Sequence, residues 1–192
     1  MCSSDLSWAG LQALGRPTEE LARFPDVFRS GMRARSVFLG DVGESGPDRW
    51  PAPLRQDAHV VLTIAADDPD ERTRALLEHL ARMNAHGVQE TWVQFGDARA
   101  DEPGHEHFGY RDGISQPGVI GYTRPSDPAH PDRGDPGQDL LWPGEFVVGY
   151  VDQSGPQSFS AIAPDPEWTR NGSYMVVRRL RQDVAGFRDF VD

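Results

Sequence analysis

Lysine is absent from the 192 residues, so all 19 basic side chains are arginine. That excludes a Schiff-base lysine and the lysine of a phosphate-binding loop, and several enzyme classes with them. Cysteine is nearly absent as well. Cys2 stands alone, which rules out an internal disulfide and a cysteine-based zinc cluster. No apolar run approaches the length of a membrane span, and the N-terminus lacks a basic region followed by an apolar stretch. Positive charge is also in deficit, because 30 acidic against 19 basic residues leave a formal net charge of -11. Such a balance opposes nucleic-acid phosphates and acidic membrane surfaces. Neither nucleic acid nor a membrane is therefore expected as a partner. The expected location is the cytoplasm, with an upstream export signal left open.

What is present includes one strong helix signal. Asp68 is placed as an N-cap, Pro69 falls in the first turn and Glu71 stands where a capping box needs it. Leu76, Leu77, Leu80 and Met83 recur at helical spacing, and Gly87 can take the left-handed conformation that closes a helix. These residues predict a helix from about 69 to 85. On either side lie His59 to Ile64, nearly all apolar or β-branched as a strand buried on both faces would be, and Thr91 to Phe95, rich in β-formers. The prediction is a strand-helix-strand unit, with the helix packed across one sheet in an α+β fold. Residues 8 to 15 and 24 to 28 suggest helical or turn-rich packing, with no strand before them. Strand-like runs return at Glu145 to Tyr150 and Ser173 to Val177, the second behind an Asn171-Gly172 turn. From Gln182 the apolar residues Val184, Phe187 and Val191 recur at helical spacing.

Between these parts, residues 98 to 143 are crowded with Gly, Pro, Asp and His, and read as a long loop of the kind that is usually functional or disordered. Within it, Asp112 stands between Gly109 and Gly113, where the missing side chains let the backbone turn tightly and approach a flat ligand. Asp-Gly is also a common turn pair, so Asp112 capping its own loop is the competing reading. His105 and His107 alternate in an extended stretch and could share a face, with Glu106 or Asp112 as a third ligand for a metal. Two solvated or carboxylate-bonded histidines explain the same pattern, so no residue is assigned to a metal. Ser115 lacks the Gly-x-Ser-x-Gly elbow of a hydrolase nucleophile. Arg178, Arg179 and Arg181 could meet carboxylates or line a solvated strand edge.

The segment Gly109-Tyr110-Arg111-Asp112-Gly113, extended from Phe108 to Pro117 as FGYRDGISQP, resembles the GxxDG signature of dye-decolorising haem peroxidases. Further agreement comes from Gly10-Leu11 with Leu14-Gly15, from Phe24-Pro25 followed by Phe28 and Gly31-Met32, and from Leu39-Gly40-Asp41 before Trp50. Downstream, Pro143-Gly144-Glu145-Phe146 with Gly149-Tyr150, and Asn171-Gly172-Ser173-Tyr174 followed by Gln182-Asp183-Val184, extend the likeness over nearly the whole chain.

The resemblance implies two ferredoxin-like α+β halves arranged as a dimeric α+β barrel around haem b. Residues 7 to 100 would be the first half without its opening strand, 101 to 143 the connecting loop, and 144 to 192 the start of the second half, so that the chain is truncated at both ends. It implies Asp112 as the distal acid-base residue, with Gly109, Arg111, Asp112, Gly113, Ile114, Ser115 and Gln116 around the haem. The family's iron-ligating histidine and distal arginine fall beyond the matching stretch and are assigned to no residue here. The implied partners are hydrogen peroxide and a phenolic or dye-like reductant, with a homo-oligomer allowed. The alternative is a non-enzymatic fragment or a small binding protein.

Overall fold

A computed structural model describes residues 2–111, 113, 116–154 and 166–191, and it divides into two units, Met1–Gln94 and Phe95–Asp192. Helix and sheet are mixed in an α+β arrangement.

The first unit opens with a strand, β1 (Cys2–Leu6), which pairs antiparallel with β2 (Val60–Ile64) in a register from Cys2↔Ile64 to Leu6↔Val60. The sequence reading expected no strand there. Cys-Ser-Ser-Asp-Leu carries too little apolar alternation to mark one, and the segment becomes a strand because β2 satisfies its backbone groups. Three short helices follow, α1 (Trp8–Ala13), α2 (Thr18–Leu21) and α3 (Asp26–Ala34), the last broken at Gly31. The Ser7 hydroxyl caps α1 by accepting from Gly10 N at 3.0 Å. These helices enclose the core of the unit, in which Leu11, Leu21 and Phe24 are buried and Trp8 and Phe28 pack against them. Trp8 meets Phe24 and Phe28 edge-on, with ring centroids at 6.4 and 6.5 Å, the geometry that aromatic quadrupoles favour.

The expected helix is α4 (Pro69–Ala85). Asp68 caps it by accepting from Asp70 N at 2.7 Å, whereas Glu71 reaches Arg74. At its end Gly87 has φ +70°, and Val88 N donates to Met83 O at 2.9 Å, which closes the last turn. Leu76, Leu80 and Met83 are half-buried while Leu77 is exposed.

Two expectations about the neighbouring strands are corrected. β2 is not buried on both faces, because β1 is its only ladder partner among the described residues and Val60 is exposed. Thr91 to Phe95 forms no strand at all. It belongs to no ladder among the described strands, and β propensity alone does not make a strand. The same holds for Tyr174 to Val177, whose side chains are exposed.

The second unit gives order to the stretch read as a long loop. β3 (Gly118–Val119) runs parallel to β4 (Leu140–Leu141), and Leu140, Trp142 and Val151 are buried beside them. Residues 143 to 150 form a 3₁₀ turn and further turns in place of a strand. Val148 exchanges backbone hydrogen bonds with the Asn171-Gly172 turn, at 2.9 Å from Val148 N to Gly172 O and 3.1 Å from Asn171 N to Val148 O. The unit ends in α5 (Val184–Val191). No described helix of either unit is long and apolar enough to cross a membrane.

Candidate functional site

The loop before Asp112 is held by its own carboxylate. Gly109 N donates to Glu106 O at 2.9 Å and Glu106 N donates to Tyr110 O at 2.9 Å, closing a tight turn whose flanks meet in an antiparallel bridge between His105 and Arg111. Both oxygens of the Glu106 side chain are engaged. Oε2 accepts from Phe108 N at 2.7 Å and Oε1 from Tyr110 N at 3.2 Å. Gly109 has φ +97° and Gly113 φ +72°, a region closed to most side chains.

Three rings gather beside this turn. Phe187 of α5 lies 5.1 Å from Phe108 and 5.7 Å from Tyr110 between ring centroids, the second pair at an interplanar angle of 87°. Two guanidinium groups flank Gly109, so that a Cβ built there would stand 3.8 Å from Nη2 of Arg188 and 3.9 Å from Nη1 of Arg99. Arg99 is tied to Asp101 at 2.5 Å and Glu102 at 2.9 Å. Its hydrogen bond to Asp101 raises the arginine pKa and lowers that of the aspartate, so this pair is ionised throughout the ordinary range of pH.

Of the residues expected at the site, Gly109, Arg111 and Gly113 belong to this turn and its continuation. Gln116 follows it, with its backbone carbonyl accepting from Gln138 Nε2 at 2.9 Å. Asp112, Ile114 and Ser115 lie outside the described residues. The rival metal site does not assemble from Glu106, whose oxygens already serve backbone N–H groups. Among the described residues no three His, Cys, Asp or Glu side chains gather in a way that could hold a metal ion. His105 Nδ1 is buried without a hydrogen-bond partner, while His107 is exposed.

Sequence reasoning missed Glu106 as the organiser of the turn, and missed Phe187 and Arg188. A local signal existed for the first, since a carboxylate two and four residues before two turn amides can accept from both. For the others there was none, because α5 lies more than seventy positions downstream. Replacing Glu106 with Ala is expected to leave the Phe108 and Tyr110 amides without their acceptor and to weaken the turn by about 1–2 kcal/mol, less than two fully buried charged bonds because the site is part-exposed. Tryptic cleavage after Arg111 should rise about tenfold, with Glu106→Gln between wild type and Ala because an amide offers a single acceptor oxygen.

Comparison with known proteins finds relatives in sequence and in fold. A dye-decolorizing peroxidase of Mycetinis scorodonius is 32% identical over 187 residues, covering 96% of this chain and 33% of that protein. Another, from Mycena epipterygia, is 33% identical over 166 residues, covering 85% of the chain and 28% of the relative. A solved structure of a mutant of the dye-decolorizing peroxidase from Pleurotus ostreatus superposes with a TM-score of 0.62 at 28% identity, covering 88% of this chain and 34% of that one. The chain spans about a third of the length of the curated relatives it matches. No family model matches it. With its sequence matched from near one end to near the other and its fold matched over most of its length, the chain is similar to about a third of a dye-decolorizing peroxidase.

Proposed function

We propose that this chain contributes the peroxide-handling side of a haem peroxidase that reduces hydrogen peroxide and oxidises phenolic or dye-like molecules. The observation that carries the reading is the turn at residues 106 to 110 with positive φ at Gly109 and at Gly113, in a chain similar to dye-decolorizing peroxidases along 96% of its length.

The residues present suit the edge of a haem. Gly109 and Gly113 offer bare backbone to a flat ring, Phe108 and Tyr110 offer aromatic surface, and Arg188 brings a guanidinium group of the kind that matches carboxylates. Iron ligation is assigned to none of the described residues. When bound, haem supplies the redox chemistry. The chain's own part would be proton transfer: an Asp112 carboxylate oxygen would accept a proton from one oxygen of hydrogen peroxide and deliver it to the other, which would leave as water, the two electrons for O–O cleavage being those that bound haem would supply. A carboxylate suits this work in mildly acidic conditions, where an unperturbed histidine is protonated.

The two ferredoxin-like halves, the cytoplasmic location and association into a homo-oligomer are parts of the same proposal. So is the inactivity of the isolated 192 residues. A peroxidase needs a positioned axial ligand as well as a distal acid-base group, and only the second is assigned here. Purified chain mixed with haem and assayed with peroxide and a dye is expected to turn over no faster than free haem. Fast turnover with a histidine-ligated spectrum would reverse this expectation and direct mutagenesis to His105 and His107.

A further inference from the structure

We infer that Phe187 is a positioning residue for the loop that leads into Asp112, with α5 acting as a clamp on that loop across more than seventy positions of sequence. The functional meaning of the clamp rests on the reading of Asp112 given above.

Glu106 secures residues 106 to 110 from within, but a turn tied only to itself can move as a body. Its outer side chains, Phe108 and Tyr110, are where an external hold must act. Phe187 contacts both, at 5.1 Å and 5.7 Å between centroids, so one ring fixes two points separated by a single residue. Two such points, together with the Arg188 group beside Gly109, set the direction in which the chain leaves the turn at Arg111. Phe187 and Arg188 are consecutive on α5, and Asp183 roots the start of that helix by accepting from Gly186 N at 2.9 Å. A clamp built on a helix is stiffer than one built on a loop.

An acid-base residue needs its proton-accepting atom held at hydrogen-bond reach of the reacting atom, so freedom at Arg111 would be paid directly in rate. Neither Phe108 nor Tyr110 is expected to take part in the chemistry, and Phe187 acts only through them.

The test reads amide hydrogen exchange in this chain without haem, comparing residues 105–111 with 139–142 in the same unit and 60–64 in the other. Phe187→Ala is expected to speed exchange in 105–111 by about tenfold, as loss of an aromatic contact implies, with 139–142 and 60–64 unchanged. Phe187→Tyr should restore protection. Unchanged exchange in 105–111 for the Ala variant, or failure of Tyr to restore it, overturns the inference. If Phe187→Ala loosens 139–142 as well, the milder pair Phe108→Leu and Phe187→Leu decides: effects on 105–111 that are non-additive in the double variant support the clamp, and additive effects refute it. Because haem is absent from this measurement, its failure would leave the peroxide reading standing. A wild-type peroxide rate for Asp112→Asn would remove that reading and leave the clamp intact.

Discussion

Asp112→Asn is expected to slow the reaction of the haem-loaded, full-length protein with hydrogen peroxide by about 10²-fold or more, with haem affinity unchanged. Asn caps a turn nearly as well as Asp, and its amide cannot accept a proton in the working range of pH. The substitution therefore separates a catalytic role from a structural one, which removal of the whole side chain would not do. Stopped-flow mixing with peroxide measures the effect. The wild-type rate should also fall as pH drops into the range where carboxylates take up a proton. In the Asn variant that acidic limb should vanish. A wild-type rate would mean that Asp112 only stabilises its turn. A smaller loss with the limb retained would mean that another group shares the proton.

Gly10→Ala is expected to destabilise the first unit by about 3 kcal/mol, the upper end of the usual cost of overpacking. A Cβ at this position would stand 2.0 Å from the carbonyl oxygen of His59 and 2.9 Å from its carbon. Both are backbone atoms, so no rotamer change can make room. The same carbonyl accepts from Ser7 N at 3.1 Å, and Ser7 caps α1. One methyl group would thus push α1 away from the residue that leads into β2 and pull its cap with it. For a unit of about this size the loss corresponds to a fall in Tm of roughly 10–20 °C, readable in the near-ultraviolet circular dichroism of the Trp8 cluster. Gly96→Ala is the control, because a Cβ there meets nothing within 4 Å. Equal melting of the two variants would show that the close approach of α1 to His59 carries no weight.

How much of this was legible beforehand depended on how local the cause was. α4 could be read in advance because its signals lie inside it: Asp68 at the cap, Pro69 in the first turn, leucines on one face and Gly87 at the end. The Asn171-Gly172 turn was legible for the same reason, and Asn171 takes φ +64°. The GxxDG segment was legible as a family signature, and the turn around Gly109 has the backbone that its glycines permit.

Strands behaved differently. β1 carried no pattern and forms because β2 lies beside it, whereas Thr91 to Phe95 carried a strong pattern and forms no strand. A helix satisfies its hydrogen bonds within its own residues, while a strand borrows them from a neighbour that sequence does not name. The stretch from 98 to 143, read as a long loop, carries β3 and β4 of only two residues each, too short for any periodicity to mark.

The amino-acid sequence by itself therefore determined the long helix and the excluded chemistries, since each depends on residue types or on spacing within a few positions, and it carried the resemblance to dye-decolorizing peroxidases on which the proposal for Asp112 rests. Only the tertiary structure decided that Glu106 is spent on the turn and so withheld from any metal, and that α5 lays Phe187 across Phe108 and Tyr110. Those are contacts between groups whose separation along the chain carries no information about their separation in space, and folding alone brings them together.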